Sequence, residues 1–585
     1  MDTTSGGDHI AQMLAAEGVD VVFGIIDGSY FGLYSRLGQH GIRLITPRHE
    51  TTAVHMAGAY ARMTGRLGVA IASNGPGVAN ALPGVAVENG EGNRVLLITS
   101  WRRHGIVGPD RGGAYQYFDQ PAVIRPMAKW SETALSVERL PELLRQAFRM
   151  SWRGRPGVVH LTVPDDVMNG PFETGSTFAN VEPHRYRRTT PLTSSPDLVE
   201  RAADLLAAAD NPIIHAGSGV LHGFATDELL RVAELLEAPV VTSWAGRDVI
   251  DERHRLAIPM WATDLVNQVR NEADLVLALG SRIGETDWWG KAPYWRRALE
   301  QRMIQVDVDE AMLGVNKPVD LAVVADAKTF LGQLAEVLAG LDLESVRAPR
   351  AQRAAQYAAI RSSTRQTLDT SLAIVGSPMH SSHLAPACQE VFGDDAVLVV
   401  DGGNTAVWAN LYHEVRRPHS MLSTYKFGML GAGVAQALGA QVAAPDRRVV
   451  CITGDGAFGF HPQEIETAVR CDLPIVVLVT VDRAWGMVKV NQEFALNQEK
   501  LLLEGGLSDA ELINTDLGEI RYDLMAESMG AFGIRVSDAG ELRTALEKAR
   551  DCGRPAVVHV DVDRTAHKFA PSLLTFKEMH QEPAG

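Results

Sequence analysis

The stretch CITGDGAFGFHPQEIETAVRCDLPIVVLVTVDRAWG, residues 451–486, decides the fold. Its first apolar run ends in Gly454-Asp455-Gly456, a helical segment follows, and a second apolar run, PIVVLVTV, ends at Asp482. Apolar runs without polar alternation are expected of parallel strands covered on both faces. Two such strands joined through a helix have neighbouring carboxyl ends, the place where open α/β sheets bind ligands. Glycines let the backbone approach a phosphate closely, and a helix start adds free N–H groups. Asp455 is a hard oxygen ligand suited to Mg²⁺ beside that phosphate, and Asp482 would stand next to it. A lone Gly-Asp-Gly says little. Followed by a helix, a strand and a second oxygen ligand, it says much more.

Outward from this stretch the same βα pattern fills the chain. VDVVFGI (19–25), LGVAIAS (67–73), RVLLITS (94–100) and PGVVHLTV (156–163) read as buried strands separated by Ala- and Leu-rich helices. A third α/β unit, about 197–340, carries PIIHAG, APVVTSW, DLVLALG and RMIQVDVD. The fold class is therefore α/β, with three doubly wound parallel-sheet domains. Pro-, Gly- and Ser-rich residues 167–196 read as one linker, and residues 345–380, which begin in a polar helical segment, as another. GRPGVVHLTV at Gly154 is echoed by GRPAVVHVDV at Gly553, each expected to be the last strand of its unit. After about residue 565 a tail follows. Its Phe569, Leu573, Leu574 and Phe576 argue that it docks rather than hangs free.

With 585 residues, 46% hydrophobic and 22% charged, the chain is long enough for several cores. A formal net charge of -16 disfavours nucleic acid as a partner. Cys388, Cys451, Cys471 and Cys552 form no CxxC pair, so neither a zinc site nor a disulfide framework is expected. The start, MDTTSGGDHI, lacks the features of a signal peptide. No run approaches the roughly 20 apolar residues of a membrane span. A cytoplasmic protein is expected.

At this point the residues resemble the thiamin-diphosphate (ThDP) dependent enzyme family. Its metal–diphosphate motif pairs Gly-Asp-Gly with, usually, two asparagines some 25 residues on, where this sequence has Val481-Asp482. The resemblance implies Asp455, Asp482 and the backbone carbonyl of Ala484 as Mg²⁺ ligands, the second with an added negative charge. It implies that Glu50, in Arg48-His49-Glu50 and followed by SNGPG (73–77), is the family's essential glutamate. Hydrogen-bonded to the aminopyrimidine, that carboxyl favours the imino tautomer that removes the thiazolium C2 proton. In FGMLGAG (427–433), the Gly428 carbonyl would receive the cofactor's amino group and Leu430 would be the apolar wedge beneath it. Gly402, Asn404, Gly454, Gly456, Ala457 and Trp485 complete the expected cofactor contacts. The likeness covers about residues 8–565. It implies a pyrimidine-binding domain (1–170), a central domain (190–345), a diphosphate-binding domain (375–565) and a tail (566–585) that acts as a lid. It also implies an active site shared between subunits, with a homodimer as the minimum and a homotetramer expected.

Within the family, GGAYQYFDQ (112–120) lacks the His-His pair of keto-acid decarboxylases. DGGNTAVW (401–408), AFGFHPQEIET (457–467) and the tail are similar to the CoA-dependent members. WGMVKVNQEF (485–494) is partly like the acetolactate synthases, but Asn491 stands about where their acceptor-selecting tryptophan belongs. Within the family these stretches resemble a 2-hydroxyacyl-CoA lyase of the bacterial 2-hydroxyisobutyryl-CoA type, which implies cleavage of a 2-hydroxyacyl-CoA to formyl-CoA and a ketone or aldehyde, reversibly. Gln116 is then expected to bind the adduct oxygen and Glu493 to be the acid/base for the 2-hydroxyl. Tyr115 is either a wall or a donor. The structural alternative for Glu493 is a solvated helix residue. Arg282, Asp307 and Asp326 sit near strand ends of the central domain, where ADP, another adenine nucleotide or the ADP part of CoA would bind. The alternative is a degenerate domain with surface charges. Rival functions are an acetolactate-synthase-like carboligase on pyruvate, an oxalyl-CoA decarboxylase or benzaldehyde-lyase-like enzyme, and a non-catalytic ThDP-fold binding protein.

Overall fold

A computed structural model describes all residues except 1, 2, 108, 174–180, 509, 572, 580, 582, 584 and 585. Three six-stranded sheets follow one another along the chain. The first runs, edge to edge, Arg43–Ile45, Val21–Gly24, Gly68–Ala72, Val95–Trp101, Val158–Pro164, Trp130–Thr133. The third runs Met421–Leu422, Val397–Val400, Val449–Gly454, Val476–Val481, Ala556–Asp561, Phe532–Val536. Numbered along the chain inside each unit, both have the order 2-1-3-4-6-5. The central sheet has the order 3-2-1-4-5-6, the arrangement of doubly wound dinucleotide-binding folds. Every pairing inside the three sheets is parallel.

The repeated Gly-Arg-Pro is explained by this shared order. Gly154 (φ +56°) and Gly553 (φ +69°) are left-handed turns between a helix and the sixth strand of each unit. Left-handed backbone is costly for a residue with a Cβ, so glycine recurs at both turns. The echoed strands are last in the chain of each unit but not at its edge. Trp130–Thr133 and Phe532–Val536 take that place.

The first and third domains are fused through one core. Helix Glu50–Thr64 lies against helix Ala432–Ala443, and Met56 and Ala57 share a cluster with Ala437 and Leu438. A Cβ on Gly439 would stand 2.4 Å from the Met56 carbonyl oxygen, so the two helices touch backbone to backbone. The central domain has its own core and shares a further one with the third.

Two expectations need correction. Residues 167–196 are not purely a linker, because Pro171–Glu173 pairs antiparallel with Thr3–Ser5; residues 174–180 lie outside the described ones. The helix after Gly-Asp-Gly is a single turn, Asp455–Phe458, and helical structure resumes only at Glu464–Arg470. His461 and Gly459 interrupt it because the chain bends there, the His461 ring nitrogen bonding the Gly431 carbonyl at 3.0 Å. Among the described residues no helix is long and apolar enough to cross a membrane.

Candidate active site

Three adjacent strands of the third sheet each end in an aspartate. Asp401 follows Val397–Val400, Asp455 follows Val449–Gly454, and Asp482 follows Val476–Val481. All three line one cavity of about 460 Å³. Parallel register sets Gly454 opposite Thr480, which brings Asp455 and Asp482 side by side. Both are buried, at 3% and 5% exposure. Asp455 accepts hydrogen bonds from the amides of Gly456 (2.8 Å) and Arg483 (2.9 Å). Burial, and then the charge of Asp482, push its carboxyl well above the ordinary range. Two buried carboxylates facing each other are unstable without a cation between or beside them.

The rest of the lining completes the donor set. Asn404 is 4% exposed, and neither its side-chain oxygen nor its nitrogen has a hydrogen-bond partner among the described residues. A buried amide left open costs free energy unless a ligand takes it up. Gly402 has φ +105°, a backbone that side chains rarely adopt. A Cβ on Gly456 would stand 2.9 Å from the Trp485 ring, so only glycine lets that indole close on the turn. Gly428, Leu430, Gly454, Ala457, Ala484 and Trp485 all border the same cavity. Hard oxygen ligands, an open amide and exposed glycine backbone fit a divalent cation with a diphosphate, and Leu430 puts an apolar surface beside them.

Sequence reasoning missed some of the lining. Asp401 accepts from the Gly431 (3.0 Å) and Gly433 (2.8 Å) amides and so fixes the start of helix Ala432–Ala443 behind Leu430. Its position inside the quoted DGGNTAVW was the available signal. Trp244, Thr263 and Thr286 arrive from the central domain and His567 and Met579 from the tail, with no motif to announce them. His567 is buried, bonds Ser381 Oγ at 2.7 Å, and receives the Trp408 indole N–H on its carbonyl at 2.9 Å. Trp244 Nε1 donates to Met579 Sδ at 3.3 Å. The tail therefore docks over the cavity. Leu573 is buried but Phe569 and Leu574 remain exposed, and the Phe576 side chain lies outside the described ones.

Glu493 is neither solvated nor in the cavity lining. It is fully buried on helix Gly486–Glu504, whose first residues, Gly486, Met487 and Val488, do line the cavity. Its Oε1 accepts from Lys568 Nζ of the tail at 2.7 Å, and its Oε2 has no partner among the described residues.

The first domain's candidates stand apart from this cavity. Glu50 is 7% exposed at the start of helix Glu50–Thr64, and its Oε2 accepts from Asn80 Nδ2 at 3.0 Å. Gln116 sits on a left-handed turn (φ +53°), its carbonyl receiving Asn74 Nδ2 at 3.0 Å. Tyr115 is 73% exposed. None of the three lines the cavity within this chain.

Arg282, Asp307 and Asp326 converge on a second cavity of about 500 Å³, with Arg155, His222 and Lys426. They are not scattered surface charges. Asp307 is buried and accepts from the Asp309 amide at 2.9 Å. Asp326 already caps helix Ala327–Ala339 through the Lys328 and Thr329 amides.

Comparison with known proteins agrees with this geometry. Residues 4–123, 199–334 and 401–560 match the N-terminal TPP binding domain, central domain and C-terminal TPP binding domain of thiamine pyrophosphate enzymes. The chain is 29% identical to the acetolactate synthase isozyme 3 large subunit of Escherichia coli, over 97% of this chain and 96% of that one. It is 30% identical to an acetolactate synthase of Mycobacterium bovis, over 95% of this chain and 87% of that one. It is also 30% identical to a sulfoacetaldehyde acetyltransferase of Alcaligenes xylosoxydans xylosoxydans, over 94% and 92%. With three matched domains in order and likeness along nearly its whole length, the chain belongs to the thiamin-diphosphate-dependent enzyme family.

Proposed function

We propose that the protein is a ThDP- and Mg²⁺-dependent lyase that cleaves a 2-hydroxyacyl-CoA to formyl-CoA and a ketone or aldehyde, and also runs the reverse condensation. The observation that carries this reading is the tail, which seats His567 and Met579 in the lining of the cofactor cavity and locks onto helix Gly486–Glu504 through Lys568. Such a cover suits a long thioester that must be enclosed and then released. When bound, ThDP supplies the nucleophilic carbon and the electron sink for breaking a bond beside a carbonyl.

Asp455, Asp482 and the Ala484 carbonyl would hold Mg²⁺, and Asn404 with the Gly402 and Gly454 backbone would hold the diphosphate. The Gly428 carbonyl and Leu430 would orient the aminopyrimidine. Glu50, from a second copy of the chain, would share a proton with the pyrimidine N1′, and Gln116 and Tyr115 would reach the substrate from that same copy. A homodimer is then the smallest active unit and a homotetramer the proposed assembly. Glu493 Oε2 would take the 2-hydroxyl proton. Because Lys568 now holds Glu493 outside the cavity lining, the tail must shift for it to act. The second cavity, with Arg282, Asp307 and Asp326, suits an adenine nucleotide or the ADP part of CoA.

A second reading, carboligation of pyruvate, is favoured by the names of the relatives, several of which are acetolactate synthases. Product analysis separates the two. 2-Hydroxyisobutyryl-CoA with ThDP and Mg²⁺ is expected to yield formyl-CoA and acetone. Acetolactate from pyruvate, with the CoA ester untouched, would establish the second reading instead.

A further inference from the structure

Glu91 breaks three local rules at once. It is the last residue of helix Pro76–Glu91, where the negative end of the helix dipole disfavours a carboxylate. It is 4% exposed, and burial pushes its carboxyl up. A second carboxylate, Glu88, lies one turn before it. Glu88 is spoken for, with His55 Nδ1 and Asn93 Nδ2 each 2.6 Å away. The hydrogen bonds of Glu91 go elsewhere. Its Oε1 accepts from the backbone amides of Lys426 (2.7 Å) and Phe427 (3.0 Å), 335 and 336 residues on. Those amides open the turn that carries Gly428 (φ +64°) and Leu430 along the wall of the cofactor cavity. A residue that violates local preference in three ways is expected where function compensates.

We propose that Glu91 is a positioning residue for the cofactor: a carboxylate of the first domain that sets the turn presenting Gly428 and Leu430 to the aminopyrimidine. The inference rests on the reading of Gly428 and Leu430 given above. Two charge-assisted bonds on one oxygen hold consecutive amides at a fixed height, and such bonds are stronger than neutral ones. The neighbouring structure supports the same point. Phe427 lies over Gly90, where a Cβ would stand 3.1 Å from its ring, and Arg155 donates to the Asn89 (3.1 Å) and Gly90 (2.7 Å) carbonyls at the same helix end. The turn is thereby clamped to the first domain by backbone, ring and carboxylate together.

The test titrates ThDP, with saturating Mg²⁺, into full-length wild type, Glu91→Ala, Glu91→Gln, Glu88→Ala and Leu430→Ala, following the near-ultraviolet circular dichroism of the bound aminopyrimidine and the melting temperature. Glu91→Ala is expected to weaken ThDP binding about tenfold or more and to change the dichroism, the loss of two such bonds amounting to that factor. Glu91→Gln, which keeps an acceptor oxygen, is expected to recover most of the affinity. Glu88→Ala is expected to lower the melting temperature and leave the dichroism of saturated protein unchanged. Unaltered affinity and dichroism in Glu91→Ala, with Leu430→Ala impaired, would overturn the inference alone. An unaltered Leu430→Ala would overturn the underlying reading of the turn as well. Should Glu91→Ala not fold, Glu91→Asp decides, because it keeps the charge but withdraws the carboxylate from the Lys426 and Phe427 amides: weaker ThDP binding with altered dichroism at a wild-type melting temperature supports the positioning role, and unchanged binding and dichroism refute it.

Discussion

The first and third domains are one topology used twice, yet their carboxyl edges carry different side chains. Both sheets have the order 2-1-3-4-6-5 and both turn into their sixth strand on a left-handed glycine. At the edge of the third sheet stand Asp401, Asp455, Asp482 and the open amide of Asn404, a set suited to anchoring a cation and a diphosphate. At the corresponding edge of the first sheet stands Glu50, its carboxylate accepting from Asn80 Nδ2. One edge is suited to anchoring and the other to handling a proton. The difference teaches that the fold supplies the position of a ligand and the loop residues supply its chemistry.

The comparison breaks most visibly if the two edges fail to affect different parameters. Glu50→Gln is expected to lower turnover by about 10²–10⁴-fold, the usual range for a lost acid–base group, while ThDP affinity stays within about threefold. Steady-state kinetics beside a ThDP titration checks this, and a large loss of affinity with turnover intact at saturation would reverse the assignment. Asp455→Asn is expected to do the opposite. Metal-supported ThDP affinity should fall by about 100-fold, given that even supporting residues of metal sites cost 10–100-fold. Isothermal titration with Mg²⁺ present and absent would read it.

A smaller effect tests the cover over the third domain's edge. Lys568→Met leaves Glu493 buried without its cation, an arrangement that destabilises the local contact. Turnover of the CoA ester is expected to fall about tenfold and the tail to become sensitive to protease, with ThDP affinity unchanged. Equal losses of turnover and cofactor binding would count against a lid. The smallest effect is a slope. In metal-free protein the Asp455 carboxyl is held above its ordinary value by burial and by Asp482, so the folded state keeps a proton that the unfolded chain releases near pH ~4. That contribution is full below the unfolded value and is lost as pH rises through the raised folded one. The melting temperature of metal-free protein should therefore decline from mildly acid pH upward, and Asp482→Asn should flatten the decline. A curve of the same slope in Asp482→Asn would show that the pair is not its source.

How much of this was legible varied with the kind of signal. The strands were plain, because buried parallel strands are continuous apolar runs whatever their neighbours do. Gly454-Asp455-Gly456 and Asp482 were plain for a related reason: a strand end, a tight turn and a ligand are all encoded within a few residues. The doubled Gly-Arg-Pro even disclosed that two domains share an order. Glu493 and the central-domain residues were harder. The burial of Glu493 depends on Lys568, 75 residues away, and the meeting of Arg282, Asp307 and Asp326 with Arg155 and Lys426 on one cavity depends on how the central domain meets the first and third.

By itself the sequence determined the α/β class, the three-domain order and the pair of carboxylates at one sheet edge, since each follows from periodicity or spacing within a single βαβ unit. Only the tertiary structure decided that Asn404 is left open in the cavity, that the tail seats Met579 beside it, that Glu493 is tied to Lys568, and that Glu91 reaches Lys426 and Phe427. Those contacts join residues far apart in the chain, and no local pattern carries the information of which distant surface a side chain will meet once the cores have closed.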